Sequence, residues 1–315
     1  MSGEVRGVVP PVPTFLRVDG SLDRQAQART VDRLVLAGVD GLLVLGSAGE
    51  GPVLQDDLAA EVVSVSVAAA GGRLPVVTCC AGQTTKVTLQ RIDQAAEAGA
   101  SAVLLLPPFY YPLSQRQLRA FVNQVVARAS LPLILYHIPE RTGHGFSVET
   151  LAGLAARPKV VGVKDSAKDL AYHYRLLREV AGASFAVFQG AAPLVLASAV
   201  TGSKDSMCPV TALVPEWELA LRSALSRGDV TTAAEFGKRI SQMASLFAVG
   251  DGPMPASFKA VASLLGLGPS TPHDSFACLE PAEVARLVKG LRDIGFGSLD
   301  EAAVATAAPR EGTAP

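Results

Sequence analysis

Short apolar runs alternate with amphipathic segments along most of the chain. Between residues 5 and 226 the apolar runs are rich in Leu or β-branched residues and have no polar face, which is typical of strands buried in a parallel sheet. The predicted strands cover residues 7–13, 41–45, 76–80, 102–106, 133–137, 160–164, 185–188 and 204–208. Their order predicts a series of βαβ units.

The segments between the predicted strands carry apolar residues at helical spacing. The predicted helices cover residues 22–37, 58–70, 85–98, 114–128, 148–156, 170–180, 193–200 and 216–226. Eight strand–helix units over roughly 220 residues suit a (β/α)8 TIM barrel, and a doubly wound open sheet is the competing architecture. We therefore predict an α/β fold of the barrel type.

The remainder of the chain has a different pattern. Residues 227–298 contain only helical patterns, of which 231–247 and 281–294 are the clearest, and they predict a C-terminal helical extension of a barrel that spans residues 1–226. Residues 299–315 are rich in Ala, Gly, Pro and Thr, so we expect a disordered tail there.

The charge balance excludes two classes of partner. The chain has 28 Lys and Arg residues against 29 Asp and Glu residues, a formal net charge of -1. Such a balance gives no electrostatic basis for binding nucleic acid or an anionic membrane surface. Small molecules are the expected partners.

The four cysteines and the N-terminal segment indicate the compartment. No two cysteines have CxxC spacing, and Cys79 and Cys80 are neighbours that would point to opposite sides of a strand. The first residues lack a cationic segment followed by a long apolar one, and no apolar run is long enough for a membrane span. We expect a reduced, cytoplasmic protein without a signal peptide or transmembrane helix.

In a barrel, reacting groups lie at the carboxyl ends of strands. Lys164 ends the apolar run 160–163, where an ammonium group is costly unless its charge is used. A desolvated lysine has a lowered pKa, and its neutral amine can attack a carbonyl. The alternative is a surface lysine paired with Asp165.

Three other strand ends carry polar groups. The small-residue turn 46–51 could hold a carboxylate through its amides and Ser47, or it could be an ordinary glycine-rich connection. Tyr136 could transfer a proton, although a core tyrosine would look the same. Arg141 could bind a substrate carboxylate, or it could be a solvated loop residue. The four histidines match no metal-binding pattern, so we expect no metal and no other cofactor.

Five motifs in order resemble the dihydrodipicolinate synthase and N-acetylneuraminate lyase family. They are PPVPTF, GSAGEG, LLLPPFYYPLSQ, LILYHIPERTG and VVGVKDSAKD, and the resemblance covers roughly residues 5–295. It implies a pyruvate-dependent enzyme in which Lys164 forms an imine and Tyr136 is the acid/base. Ser47 and the Ala48 amide would hold the pyruvate carboxylate. Tyr110 would reach a neighbouring subunit's site, which implies a homodimer or homotetramer.

The motifs also depart from the family pattern. Arg141 is similar to the synthase branch, whereas KDS after the strand is similar to the sugar-acid aldolase and lyase branch. Ala48 replaces a hydroxyl residue, and His137 replaces a frequent Asn. The region around 202–209 also departs from the usual pattern, which places Asp205 and Met207 near the pocket. With these residues, the predicted substrate-binding set is Ser47, Ala48, Arg141, Gly190, Asp205 and Met207.

These departures make lysine biosynthesis doubtful while leaving the imine machinery intact. We therefore expect a class I aldolase or lyase that cleaves or forms a 2-oxo acid with an acidic or polar tail. The alternatives are a true 4-hydroxy-tetrahydrodipicolinate synthase, a 2-keto-3-deoxy sugar acid aldolase and a non-catalytic oxo-acid-binding protein.

Overall fold

The computed structural model describes residues 5–180, 185–297 and 299, so the predicted tail 299–315 lies outside the described residues except for Leu299. One parallel sheet of six strands forms the centre of the molecule, in the order β1-β2-β3-β4-β5-β6. The strands are β1 Leu42–Val44, β2 Val76–Ala81, β3 Ala102–Leu106, β4 Leu133–His137, β5 Val160–Asp165 and β6 Ala186–Gln189. Sequential strands are neighbours, as short right-handed crossovers favour.

Helices follow the strands and continue to the C-terminal part of the chain. They are α1 Arg24–Ala37, α2 Asp56–Ala70, α3 Thr85–Glu97, α4 Gln115–Val126, α5 Pro139–Thr142, α6 Val148–Ala155, α7 Leu170–Val180, α8 Val195–Val200, α9 Pro209–Leu213, α10 Pro215–Ser226, α11 Val230–Leu246, α12 Met254–Leu264 and α13 Pro281–Asp293. Local signals set several boundaries: Thr84 caps α3 through the Val87 amide, and Ser114 forms a capping box with Gln117 at the start of α4.

The first and last predicted strands are shorter than expected. Segments 7–13 and 204–208 make isolated parallel bridges instead of full strands: Val8 pairs with Ser206, Pro11 with Leu43, and Ser206 with Gln189. Prolines at positions 10, 11 and 13 lack an N–H group, so the first segment cannot build a continuous ladder. The two segments nevertheless connect the edge strands β1 and β6.

Two hydrophobic clusters hold these layers together. The first surrounds the sheet, whose strands are buried on both faces, as a sheet covered by helices requires. The second joins Phe15 and Val210 to Met243, Phe258 and Leu287 on helices α11–α13. The predicted division after residue 226 falls between α10 and α11, and it stays a prediction. Within the described residues, none of the helices has the length and apolar character needed to cross a bilayer.

Candidate active site

Lys164 lies on β5, in register with Tyr136 on β4, and its side chain faces a cavity. Its residue surface is only 4% exposed. Asp165, the next residue, points the opposite way because side chains alternate along a strand; its carboxylate pairs with His173 Nδ1 at 2.9 Å. In the part of the chain that the structure describes, Lys164 forms no ion pair, so it is not the surface lysine paired with Asp165.

Tyr136 and Ser47 lie beside this lysine. The Nζ atom of Lys164 is 4.6 Å from the centre of the Tyr136 ring. The Tyr136 hydroxyl is 3.3 Å from Ser47 Oγ, and either oxygen can donate the hydrogen bond. An amine next to two linked hydroxyl groups has what a carbonyl addition needs, a nucleophile and a path for protons.

These groups face a cavity of about 580 Å³. The cavity collects most of the predicted site residues at one place: its lining includes Ser47, Ala48, Tyr136, Arg141, Lys164 and Gly190. Gly190 leaves room for the lysine, since a Cβ atom there would lie 2.9 Å from Lys164 Cε and 2.2 Å from Ser166 Oγ. A side chain at position 190 would therefore displace the Lys164 side chain.

The turn between β1 and α2 shapes one wall of the cavity. Ser47–Gly49 form a single 3₁₀ turn, and Gly49 N–H donates to the Gly46 carbonyl at 2.9 Å. Gly51 is required because a Cβ atom there would meet the Leu45 carbonyl oxygen at 1.9 Å. The first amides of such a turn have no partner within it, so the N–H groups of Ser47 and Ala48 are available for a carboxylate.

A buried ion pair supports this turn from behind. The Glu50 carboxylate pairs with the Lys259 ammonium of α12, and both side chains are fully buried. Glu50 also accepts a hydrogen bond from the His273 amide at 3.0 Å, and Lys259 donates to the Thr271 carbonyl at 2.8 Å. Burial lowers the pKa of Lys259, and the Glu50 carboxylate offsets part of that effect.

Sequence reasoning missed this pair, although a signal was present. Lys259 is the only charged residue of α12, which is otherwise composed of small and apolar residues, and a lone charge in such a helix needs a buried partner. The identity of the partner, Glu50, could not be read from the pattern.

Residues 4–290 match the sequence profile described as the Dihydrodipicolinate synthetase family. The chain belongs to this family. A DapA-like lyase of Halobacterium salinarum is 32% identical over 292 residues, which cover 93% of this chain and 95% of the relative. The N-acetylneuraminate lyase of Rhizobium meliloti is 29% identical over 284 residues, covering 90% of this chain and 93% of the relative.

The structures agree with this assignment. YagE, a prophage protein of Escherichia coli K12 that was crystallised in complex with pyruvate, matches with a TM-score of 0.88 and 26% identity, covering 93% of this chain and 99% of that one. The resemblance seen in the motifs is thus confirmed. Membership in the dihydrodipicolinate synthetase family supports a pyruvate-dependent, class I aldolase-type function.

Three predicted site residues lie away from the cavity. Tyr110 is 74% exposed and packs edge-on against Tyr111, so it contributes nothing to the cavity of its own chain. The Asp205 carboxylate accepts a hydrogen bond from the Gly7 amide at 2.7 Å and lies 3.4 Å from Arg6, partners that a nearly buried carboxylate requires. Met207 is fully buried in the core around the sheet. Asp205 and Met207 therefore have structural surroundings instead of the expected place near the pocket.

A second buried polar network lies behind Lys164. His173 Nδ1 is 2.9 Å from Asp165 Oδ2, and His173 Nε2 is 2.8 Å from Ser198 Oγ. The arrangement has the order of a Ser-His-Asp triad, but each member is at most 2% exposed and none lines the cavity beside Lys164. It ties β5 to α7 and α8 and has no access to a substrate.

His137, the residue after Tyr136, is held as a neutral imidazole. Its Nδ1 atom accepts a hydrogen bond from the Phe146 amide at 3.0 Å, and its ring stacks on Tyr172 at 4.4 Å. Burial lowers the pKa of His137, and the carboxylates of Asp165 and Asp169 offset part of the effect. A protonated ring would also turn an N–H group toward the Phe146 amide, which is itself a donor.

This geometry predicts a pH dependence of stability. Since the folded-state pKa lies below the unfolded-state value, the unfolded chain binds the proton first as the pH falls. The stabilising contribution of His137 is present above about pH 6.5, the unfolded pKa, and is lost as the pH falls through the lower folded pKa. Asn at this position keeps an acceptor for Phe146 but cannot titrate. Urea unfolding should show that the free energy of unfolding falls less between pH 8 and pH 5 for His137→Asn than for the wild type. An equal fall in both proteins would contradict a neutral, buried His137.

Proposed function

We propose that the protein is a pyruvate-dependent class I aldolase or lyase that works through an imine on Lys164. The observation that carries the proposal is the position of Lys164: a buried amine at the carboxyl end of β5 that faces the 580 Å³ cavity and forms no ion pair with the described residues. Its amine attacks the C2 carbonyl of the 2-oxo acid. Water leaves as the imine forms.

The neighbouring groups support the remaining steps. The protonated imine accepts the electron pair released when the C3–C4 bond of the substrate breaks, and the C4 hydroxyl loses its proton to become the aldehyde. The Tyr136 hydroxyl is placed to take this proton while it passes its own proton through the Ser47 hydroxyl to water. The Ser47 hydroxyl and the Ala48 amide hold the 2-oxo acid carboxylate. Condensation runs through the same groups in reverse.

Arg141 bears on the second substrate. It lines the cavity, and guanidinium binds carboxylates in a bidentate manner, so an acidic or polar tail on the 2-oxo acid is our first choice. The same residue would suit a true 4-hydroxy-tetrahydrodipicolinate synthase, and a coupled assay with aspartate semialdehyde separates the two. A screen of 2-keto-3-deoxy sugar acids for pyruvate release tests the sugar-acid alternative. A protein that traps pyruvate without turning over any of these would be a binding protein.

We also propose that the sheet is part of a (β/α)8 barrel. The segments around Val8 and Ser206 take the positions of the first and eighth strands: Val9 N–H donates to the Ser206 carbonyl at 2.9 Å, and Met207 N–H donates to the Gln189 carbonyl at 2.9 Å. Together with the bond from Val12 N–H to the Leu43 carbonyl at 2.8 Å, they support a closed ring of strands. Helices α11–α13 would then be the C-terminal extension.

The deciding experiment traps the imine. Incubation with pyruvate and borohydride should reduce the imine to a stable adduct, and peptide mass spectrometry should find the added mass on Lys164. The same treatment without pyruvate is the blank. Absence of an adduct on Lys164 would contradict the proposed imine mechanism.

Tyr110 suggests that the working unit is at least a dimer. Tyr110 and Tyr111 are both 74% exposed, which is unusual for two adjacent aromatic residues. Next to Ser47 lies a mostly apolar pocket of about 210 Å³, large enough for an aromatic ring. We propose that Tyr110 of a second copy enters this pocket and joins the hydroxyl pair of Ser47 and Tyr136.

A complementation test follows from this arrangement. Lys164→Met and Tyr110→Ala should each be nearly inactive alone. Mixed dimers of the two would contain one site with an intact lysine and an intact partner tyrosine, so mixing after mild dissociation should restore up to about a quarter of wild-type activity, assuming random pairing. If Tyr110 served its own chain, no hybrid site would be complete and activity would stay at the level of the separate variants.

A further inference from the structure

Lys168 occupies a backbone conformation that favours glycine. It lies in the loop after β5 with φ 57°, in the left-handed region where residues other than Gly, Asn and Asp are strained. The lysine side chain cannot form the local hydrogen bonds that make Asn and Asp tolerable there. Strained residues of this kind concentrate at functional sites, so the Lys168 side chain is a candidate for a functional role.

The side chain contributes to the cavity that contains Lys164. Lys168 lines the cavity from the β5 side and Glu140 lines it from the loop after β4. Lys168 Nζ lies 2.9 Å from Glu140 Oε2, and the two side chains are 62% and 64% exposed. An ion pair this exposed contributes little to stability, so it does not account for a lysine at a strained position.

A second cation lies next to this pair. Arg141 follows Glu140 on α5 and lines the same cavity. Its guanidinium has no hydrogen-bond or ion-pair partner among the residues that the structure describes. The wall contributed by Ala191–Pro193 after β6 has no polar side chain. Besides Lys164, two cationic side chains therefore face the cavity, and one of them, Lys168, is paired with a single, solvent-exposed carboxylate.

We propose that Lys168 is a specificity-determining residue that leaves Glu140 to bind an anionic group at the far end of the substrate. This inference rests on the proposed imine chemistry and deepens it: the preferred 2-oxo acid carries a carboxylate or a phosphate on its tail. Lys168 and Arg141 contact that anion together, while the 2-oxo end is bound at Lys164. Glu140 pairs with Lys168 in the free enzyme and competes with the anionic tail for the ammonium.

The test compares two 2-oxo acids of similar length with a charged and an uncharged tail. The half-saturating concentration for borohydride trapping on Lys164 is measured with 2-oxoadipate, whose tail ends in a carboxylate, and with 2-oxoheptanoate, whose tail is an alkyl chain. The ratio of the two concentrations reports the tail alone, and turnover is not needed. The wild type should favour 2-oxoadipate by at least about tenfold, the factor that corresponds to 1.4 kcal/mol. A phosphonate-tailed 2-oxo acid of the same length tells whether carboxylate or phosphate fits better.

Two variants assign the preference to the proposed residues. Lys168→Gly suits the positive φ and should fold with an unchanged melting temperature, but its preference for 2-oxoadipate should fall about tenfold. Glu140→Gln releases Lys168 and should raise the preference several-fold. Lys86→Gln, an exposed lysine of α3 outside the cavity, is the control and should keep the wild-type ratio.

The outcomes separate this inference from the proposed function. If pyruvate labels Lys164 but the wild type shows no preference for the anionic tail, the inference is wrong and the imine chemistry survives. An unchanged ratio in Lys168→Gly overturns it as well. If pyruvate labels no lysine, both proposals fall together.

Discussion

Replacing Lys164 by Met is expected to abolish imine trapping and to lower kcat/KM by at least about 10⁴-fold. Methionine preserves the apolar stem of the lysine and removes the amine. Within the described residues that line the cavity, Lys168 is the other lysine, and its side chain is exposed to solvent and paired with Glu140. No residual pathway through a second amine is therefore expected.

The Lys164→Met protein should fold at least as well as the wild type. Met fills the same buried space without a polar group, and Lys164 forms no ion pair with the described residues, so the melting temperature should stay equal or rise. Lys204→Met, at an exposed position, controls for the loss of one positive charge and should keep full activity. An adduct that persists on another lysine in Lys164→Met would show that the imine forms elsewhere.

The largest loss of stability is expected for Lys259→Met. Among the described residues, the substitution leaves the buried Glu50 carboxylate with the His273 amide as its remaining partner, and breaking a buried pair in this way costs about 3–5 kcal/mol. The double variant Glu50→Gln/Lys259→Met removes both charges and should recover most of that loss. Urea unfolding measures both free energies at one pH.

An exposed ion pair provides the matched control. Arg24 and Glu61 form a pair whose side chains are 62% and 35% exposed, so Arg24→Met should cost less than about 1 kcal/mol. If Lys259→Met lowers the free energy of unfolding no more than Arg24→Met does, the Glu50–Lys259 pair does not support the turn between β1 and α2. A double variant as unstable as the single one would indicate that packing of the lysine stem, and not its charge, is what matters.

The same pair should affect ligand binding. Glu50 directly follows the turn that presents Ser47 and Ala48 to the cavity, and α12 holds it through Lys259. Where the double variant folds, its half-saturating pyruvate concentration should rise more than its maximal trapping rate falls, because the pair positions the carboxylate-binding turn and does not touch the reacting carbon.

Much of the site could be predicted from strand ends alone. Lys164, Tyr136, Ser47 and Gly190 each lie at or just after the carboxyl end of a strand, and parallel strands bring such positions to one edge of the sheet. Predictions of this kind need only the hydrophobic period and the strand order. Asp205 and Met207 were expected near the pocket from the family resemblance, but the side chain of one contacts Gly7 and the other lies in the core.

The sequence by itself determined the strand and helix pattern, the family and the lysine that ends β5, because periodicity and motifs are local properties of the chain. Only the tertiary structure decided which polar groups meet. Asp205 binds an amide 198 residues away, and the His273 amide reaches Glu50 across 223 residues. Such partners depend on the packing of distant elements. A buried charge requires a counterpart, but the residues next to it in the sequence do not show which residue supplies it.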